Sequence, residues 1–295
     1  MLALHRLAPQ IVVMSKVLTY ATLPSRALIS VSGEGWRDFL QGLITQDVET
    51  VGPGEARFGA LLTPQGRLLY DLFVVGRIDG GAWLDVEAQH RDALIQRLMM
   101  YRLRAKVEIV ADETPVAALF QADGEAPPAR PGAAEWVADP RLPALGWRGC
   151  GVSPPAGAVM ADEGAHETLA RRLGVPGPAD WGSDKTYPIE ANFDLLNGID
   201  FKKGCFVGQE TTSRMKRRGQ IKSRMLPMAL AGTGAEVGAE VLAGDLRAGV
   251  VTSGTAGRVM ALLRLDRAAG AALTVDGLPA SVAWPDWMPR EPLAC

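Results

Sequence analysis

Between residues 35 and 48 the apolar side chains Trp36, Phe39, Leu40, Leu43 and Ile44 recur at the spacing of one helical face. The pattern predicts an amphipathic helix through EGWRDFLQGLITQDV. The period then shortens: RFGALLTPQGRLLYDLFVVGRI reads as two apolar, β-rich runs joined by TPQG. There Pro64 presets a turn and Gly66 supplies conformational freedom, so a hairpin is expected. Helical spacing returns over 87–101, with Leu94, Ile95, Leu98 and Met99 on one face, and KVEIV follows as a strand. A further helix is expected near HETLARRLG. Beyond Ser223, short apolar runs (LPMAL, AEVLA, AGVVTS, VMALLRL, ALTV, ASVAW) alternate with Gly-rich turns, the texture of a small antiparallel barrel.

These elements give an α+β chain in three regions. Residues 1–13 read as an N-terminal extension, with Met14 an alternative start. Residues 14–222 read as a bilobed region, with an internal boundary in the proline-rich stretch 122–134, and 223–295 as the C-terminal β-barrel.

Composition narrows the function classes. The 295 residues carry 31 Lys and Arg against 33 Asp and Glu, a net charge of -2, so a generic polyanion binder is not indicated. Three cysteines, Cys150, Cys205 and Cys295, are odd in number, far apart and never in a CxxC pair; they support neither a disulfide framework nor a zinc knuckle, and fit a reducing compartment. The first residues make a poor signal peptide and are too short to span a membrane. Three scattered histidines, and the lack of HExxH, GxSxG and P-loop patterns, leave the standard catalytic arrangements unsupported. GTGAEVG at 232–238 lacks both the GxGxxG spacing and a βαβ context, and reads as a hairpin turn.

The candidate chemistry sits in KGCFVGQE, 203–210. Gly204 and Gly208 admit positive φ or close backbone approach, and the Lys202 and Lys203 charges would favour a thiolate at Cys205. A small buried hydrophobe in a tight turn is the competing reading of Cys205. From Lys202 to Arg224 there are eight basic residues and one acid, Glu210. Such a run suits a folate glutamate tail, a nucleotide phosphate or an RNA backbone, and equally a solvated connector. No aromatic residue lies among these charges after Phe206, which weakens a single-strand stacking platform.

PIEANFDLLNGIDFKKGCFVGQETTSRM, 188–215, resembles the signature of the YgfZ family, folate-binding relatives of the glycine-cleavage aminomethyltransferase, or T-protein. The pattern K-G-C-[YF]-x-G-Q-E, preceded by P-x-x-x-N, is met at Lys203, Gly204, Cys205, Phe206, Gly208, Gln209 and Glu210, and at Pro188 and Asn192. DFLQGLITQDV, LLTPQGRLLYDLFV, DPRLPALGWR and VAWPDW look like further landmarks in the same order. The resemblance implies a three-lobed ring around a folate cavity with a C-terminal barrel, tetrahydrofolate as cofactor without a stable metal, and work in assembling or repairing iron–sulfur clusters with client or assembly proteins as partners. It makes Cys205 the functional residue, as a redox thiol, a transient iron ligand or a site of one-carbon chemistry. Asp71, Glu190, Asn192 and Arg214 are the expected folate-binding side chains. A cytoplasmic monomer is expected, bound to neither membrane nor nucleic acid. The alternatives are a folate-dependent aminomethyl transferase and an RNA-binding module using 202–224. Against aminomethyl transfer, Arg172 in LARRLG stands where the T-protein pattern places a folate-binding Glu, and a cation cannot accept the pterin's N–H bonds.

Overall fold

The computed structural model describes residues 17–289, apart from 125–127, 133–134, 220, 233 and 256. The N-terminal extension, the choice between Met1 and Met14, and Cys295 lie outside the described residues.

The described residues build two five-stranded sheets and one closed six-stranded barrel. The first sheet runs, edge to edge, Val159–Ala161, Leu18–Thr22, Val116–Gln121, Trp147–Cys150, Trp136–Ala138; its Leu18–Thr22/Val159–Ala161 pair is parallel and its other pairs antiparallel. The second is antiparallel in the order Ala56–Leu62, Leu68–Gly76, Ala82–Glu87, Arg26–Ser32, Glu108–Asp112. The barrel closes through Ser223–Leu230, Arg258–Arg264, Leu246–Thr255, Glu240–Ala243, Leu273–Val275 and Leu278–Val282.

The expected hairpin is present, and its continuous apolar run has a cause. Strand Leu68–Gly76 is covered on both faces. Alternation sends Leu72 and Val74 toward the helix Arg91–Arg102, and Phe73 and Val75 toward Phe58, Phe193 and the centre of the molecule. The helix expected over 35–48 stops at Gln41. The Leu43 and Ile44 amides both turn back to the Leu40 carbonyl, after which Ile44 bridges to Leu61 and the Thr45 amide bonds Ala60. Leu43 and Ile44 are buried as expected, by a chain that has joined the sheet edge. In the second helix, Leu94 and Leu98 are buried but Met99 is exposed, and Glu87 belongs to the preceding strand.

The stretch 122–134, expected as an internal boundary, is flanked by two strands of one sheet. It joins Val116–Gln121 to Trp136–Ala138, both strands of the first sheet. The chain crosses between the sheets at residues 23–25 and 113–115, where the Leu23 amide bonds the Val116 carbonyl at 2.8 Å. Proline marked an irregular loop correctly, but irregularity does not identify which sheet the next strand joins.

Candidate functional site

The loop 200–208 is fixed at both ends and exposed between them. Asp200 begins it: its Oδ1 accepts the amides of Lys202 (2.7 Å) and Lys203 (3.2 Å), an Asx-type turn. The Lys203 ammonium reaches across to the second sheet's edge and donates to the carbonyls of Ile44 (2.8 Å) and Gln46 (2.7 Å). Burial pushes it down to about 8, against the opposing carboxylates of Asp47, Asp200 and Glu49. Phe206 is buried in the central core. Gly208, in the left-handed region at φ +80°, then starts the helix Gln209–Arg218, with Glu210 in its first turn where a carboxylate suits the helix dipole.

Gly208 and Gly66 need each other to lack side chains. A Cβ on Gly208 would lie 2.6 Å from the Thr63 carbonyl oxygen and 2.9 Å from Gly66 Cα; one on Gly66 would lie 2.9 Å from Thr211 Cβ. The hairpin tip therefore docks directly on the helix start. Between these anchors Cys205 is exposed, and its neighbour Gly204 faces open space. Cys150 is the contrast: burial, with Asp85 nearby, pushes its thiol up to about 12. Among the described residues the thiol able to meet another molecule is Cys205.

The residues expected to bind folate separate in space. Asn192 is fully buried at φ +63°, its Nδ2 donating to the Met225 carbonyl and its Oδ1 accepting from Arg224. It ties the central segment to the barrel's first strand, a structural role. The Glu190 carboxylate accepts the Tyr187 amide at 3.0 Å, and burial raises its pKa. Arg214 is exposed on the helix. Only Asp71 of the four lines the central cavity. The basic run also shrinks, because Lys203 is held by carbonyls, Lys216 lies 3.7 Å from Asp194, and Arg224 forks onto Asp194 at 2.9 Å.

That cavity, about 240 Å³, opens where the two sheets, the helix Glu163–Arg172 and the barrel residue Ser253 meet. Its floor is a charge-balanced chain that motif reading missed. Arg26 bonds Asp71 (3.0 Å) and Asp85 (2.7 Å); Arg148 bonds the other oxygen of Asp85 and lies 3.6 Å from Asp139; Arg141 bonds Asp139 at 2.7 Å. Burial alone would raise the Asp85 carboxyl, but Arg148 and Arg26 hold it below the usual range. Arg141 and Arg148 likewise hold Asp139 down at about 2 despite its burial. The Phe73 ring lies 3.9 Å from the Arg148 guanidinium and 5.0 Å from that of Arg141. The available signal was the charged side chains set in apolar strands, RALIS, WLDVE and GWRGC.

His166 lines the same cavity with Nε2 buried and without a hydrogen-bond partner among the described residues. Burial, with Arg148 and Arg141, pushes it down to about 3, so it is neutral near pH 7. Arg172 does not line the cavity: it donates to the Ala122 carbonyl, while Glu163, bonded to Ser25, and the exposed Glu167 of the same helix stand at its rim. Cys205 does not line the cavity. Among the described residues no group of three or more His, Cys, Asp or Glu is placed to hold a metal, and no helix is long and apolar enough to cross a membrane.

The two sheets and closed barrel define a protein with the aminomethyltransferase fold. The crystal structure of glycine cleavage system aminomethyltransferase T from Bartonella henselae matches with a TM-score of 0.74 at 18% identity, over 92% of this chain and 86% of that one. Residues 222–290 match the model of the CAF17 C-terminal beta-barrel domain. The human protein named iron-sulfur cluster assembly factor IBA57, mitochondrial, is 31% identical over 307 residues, 90% of this chain and 84% of its own. The chain belongs to the IBA57 family. The Neurospora crassa and Mycosarcoma maydis homologues of the same name are 34% and 31% identical, and the chain spans only 53% and 58% of their lengths.

These relatives are named as mitochondrial, which overturns the cytoplasmic expectation. Unpaired cysteines distinguish a reducing compartment from an oxidising one, and carry no information on which reducing compartment it is.

Proposed function

We propose that the protein is an accessory factor in assembling or repairing iron–sulfur clusters, with Cys205 as its functional thiol. One observation carries the reading: within an IBA57-family chain, the motif cysteine is exposed on a loop held by the half-buried Lys203 and the buried Phe206. Thiolate is the normal ligand of iron–sulfur clusters, and a lone accessible thiolate holds one only together with ligands from elsewhere, which suits transient handling. The partners are then cluster-carrying client or assembly proteins. Loss of the gene is expected to lower [4Fe–4S] enzyme activities under oxidative stress; unchanged activities would refute the reading.

We further propose tetrahydrofolate as the ligand of the central cavity. Trp181 offers an aromatic edge, the unpartnered His166 Nε2 suits a pterin's polar edge, and Arg171, 3.6 Å from Glu167, suits an acidic tail. Bound, the cofactor supplies a one-carbon carrier. Calorimetry with tetrahydrofolate and its polyglutamate tests this, with tighter binding of the polyglutamate expected; no heat from either form would refute it. Aminomethyl transfer ranks second because Asp71, its nearest candidate base, is already engaged by Arg26. Turnover of an aminomethyl donor by the purified protein would reverse that order.

A further inference from the structure

At the C-terminal end of the helix Arg91–Arg102, none of whose residues line the cavity, apolar and cationic side chains share one exposed tip. Met99, Met100 and Leu103 are 38%, 68% and 87% exposed. Met99 and Met100 lie in the last turn of the helix and Leu103 caps it, so the three exposed apolar side chains share the helix end. Its backbone sits at φ +42°, a conformation that leucine adopts rarely and at a cost. A solvated turn here would be served by glycine or asparagine.

Charge supplies the second observation. Residues 97–106, RLMMYRLRAK, hold four cations and no acid, in a chain of net charge -2. Among the described residues Arg97, Arg104 and Lys106 make no ion pair, and Arg102 spends one nitrogen on the Val107 carbonyl at 3.3 Å. The negative pole of the helix C-terminus accounts for cations nearby. It does not account for three protruding apolar side chains among them.

We propose that this tip is a docking surface for an anionic lipid bilayer. Met99, Met100 and Leu103 would enter the headgroup boundary while Arg97, Arg102, Arg104 and Lys106 meet acidic headgroups. A bilayer conforms to a protruding tip, whereas a protein partner needs a wider matched surface than three side chains present. The attachment is peripheral, reversible and salt-sensitive.

The test is co-sedimentation of the full chain with vesicles of phosphatidylcholine alone and of phosphatidylcholine mixed with phosphatidylglycerol. Wild-type protein is expected to bind the anionic vesicles and to release as salt is raised. The double variants Met100→Gln/Leu103→Gln and Arg104→Gln/Lys106→Gln are each expected to lower binding by about tenfold. Ile78→Gln, at an exposed hairpin turn elsewhere, is expected to leave binding unchanged. All substituted residues are exposed, and an unchanged thermal midpoint verifies folding. Equal binding to neutral and anionic vesicles, or full binding by Met100→Gln/Leu103→Gln, would overturn the proposal. So would a self-association of the wild type that Leu103→Gln abolishes, because the tip would then serve a second copy of the chain.

Discussion

Two glycines of the motif make opposite demands, and substitution separates them. Gly208→Ala forces a Cβ against the Thr63 carbonyl at a positive φ, and is expected to cost about 2–3 kcal/mol, read as a lower urea midpoint at unchanged slope. Gly204→Ala meets nothing and is expected to change stability by less than about 0.5 kcal/mol. His166 gives a pH signature. Its folded pKa, about 3, lies below the ordinary histidine value of 6.5, so the unfolded chain binds the proton first as pH falls. The stability it contributes is therefore complete above 6.5 and drains away as pH falls from 6.5 toward 3. The loss by about pH 5 is roughly 2 kcal/mol. In His166→Leu this share of the acid sensitivity is expected to vanish from urea titrations at successive pH values. What remains below 3.8 belongs to groups such as Asp139, which loses its contribution as pH falls from 3.8 toward 2.

The Cys205 loop is held mainly by Lys203, whose Nζ satisfies two carbonyls of another segment. Lys203→Met keeps the apolar stem but leaves the Ile44 and Gln46 carbonyls without that donor. Amide exchange over 200–207 and 44–46 is expected to accelerate while the barrel's exchange stays unchanged; unaltered exchange would show that Phe206 alone holds the loop. Elements with a single clear period were legible in the sequence: the 56–76 hairpin, the helices near 91–102 and 163–172, and the barrel strands. The motif was legible as a contiguous run, whereas the exposure of its Cys205 was not, since a buried thiol in a tight turn fitted the same residues. The cavity was not. Arg26, Asp85, Asp139, Arg141 and Arg148 lie far apart in sequence and meet only when both sheets are in place. Asn192 and Glu190 do not line the cavity: a polar residue beside a motif reads as a ligand in sequence, and in the fold Asn192 also makes a left-handed turn and a backbone bond.

The three bodies are held around the cavity by polar ties. Arg148 of the first sheet meets Asp85 of the second, Asp180 accepts Thr252 and Ser253 of the barrel, and Trp287 donates to the Leu173 carbonyl behind the helix Glu163–Arg172. A buried ion network is costly to break from one side, because the remaining charges stay desolvated. Asp85→Ala leaves Arg26 with the Asp71 carboxylate alone and Arg148 with only the 3.6 Å approach of Asp139, and is expected to cost about 3 kcal/mol, with the Asp85→Ala/Arg148→Met pair costing less than the sum of its single changes in a double-mutant cycle. The cavity and the Cys205 loop occupy different regions of this frame, so folate affinity and thiol function should respond to different substitutions. The most direct test of the central claim restores the gene to cells lacking it and measures [4Fe–4S] enzyme activity under oxidative stress. Wild type and Cys150→Ala are predicted to restore activity and Cys205→Ser to fail while folding normally; full restoration by Cys205→Ser would contradict the account.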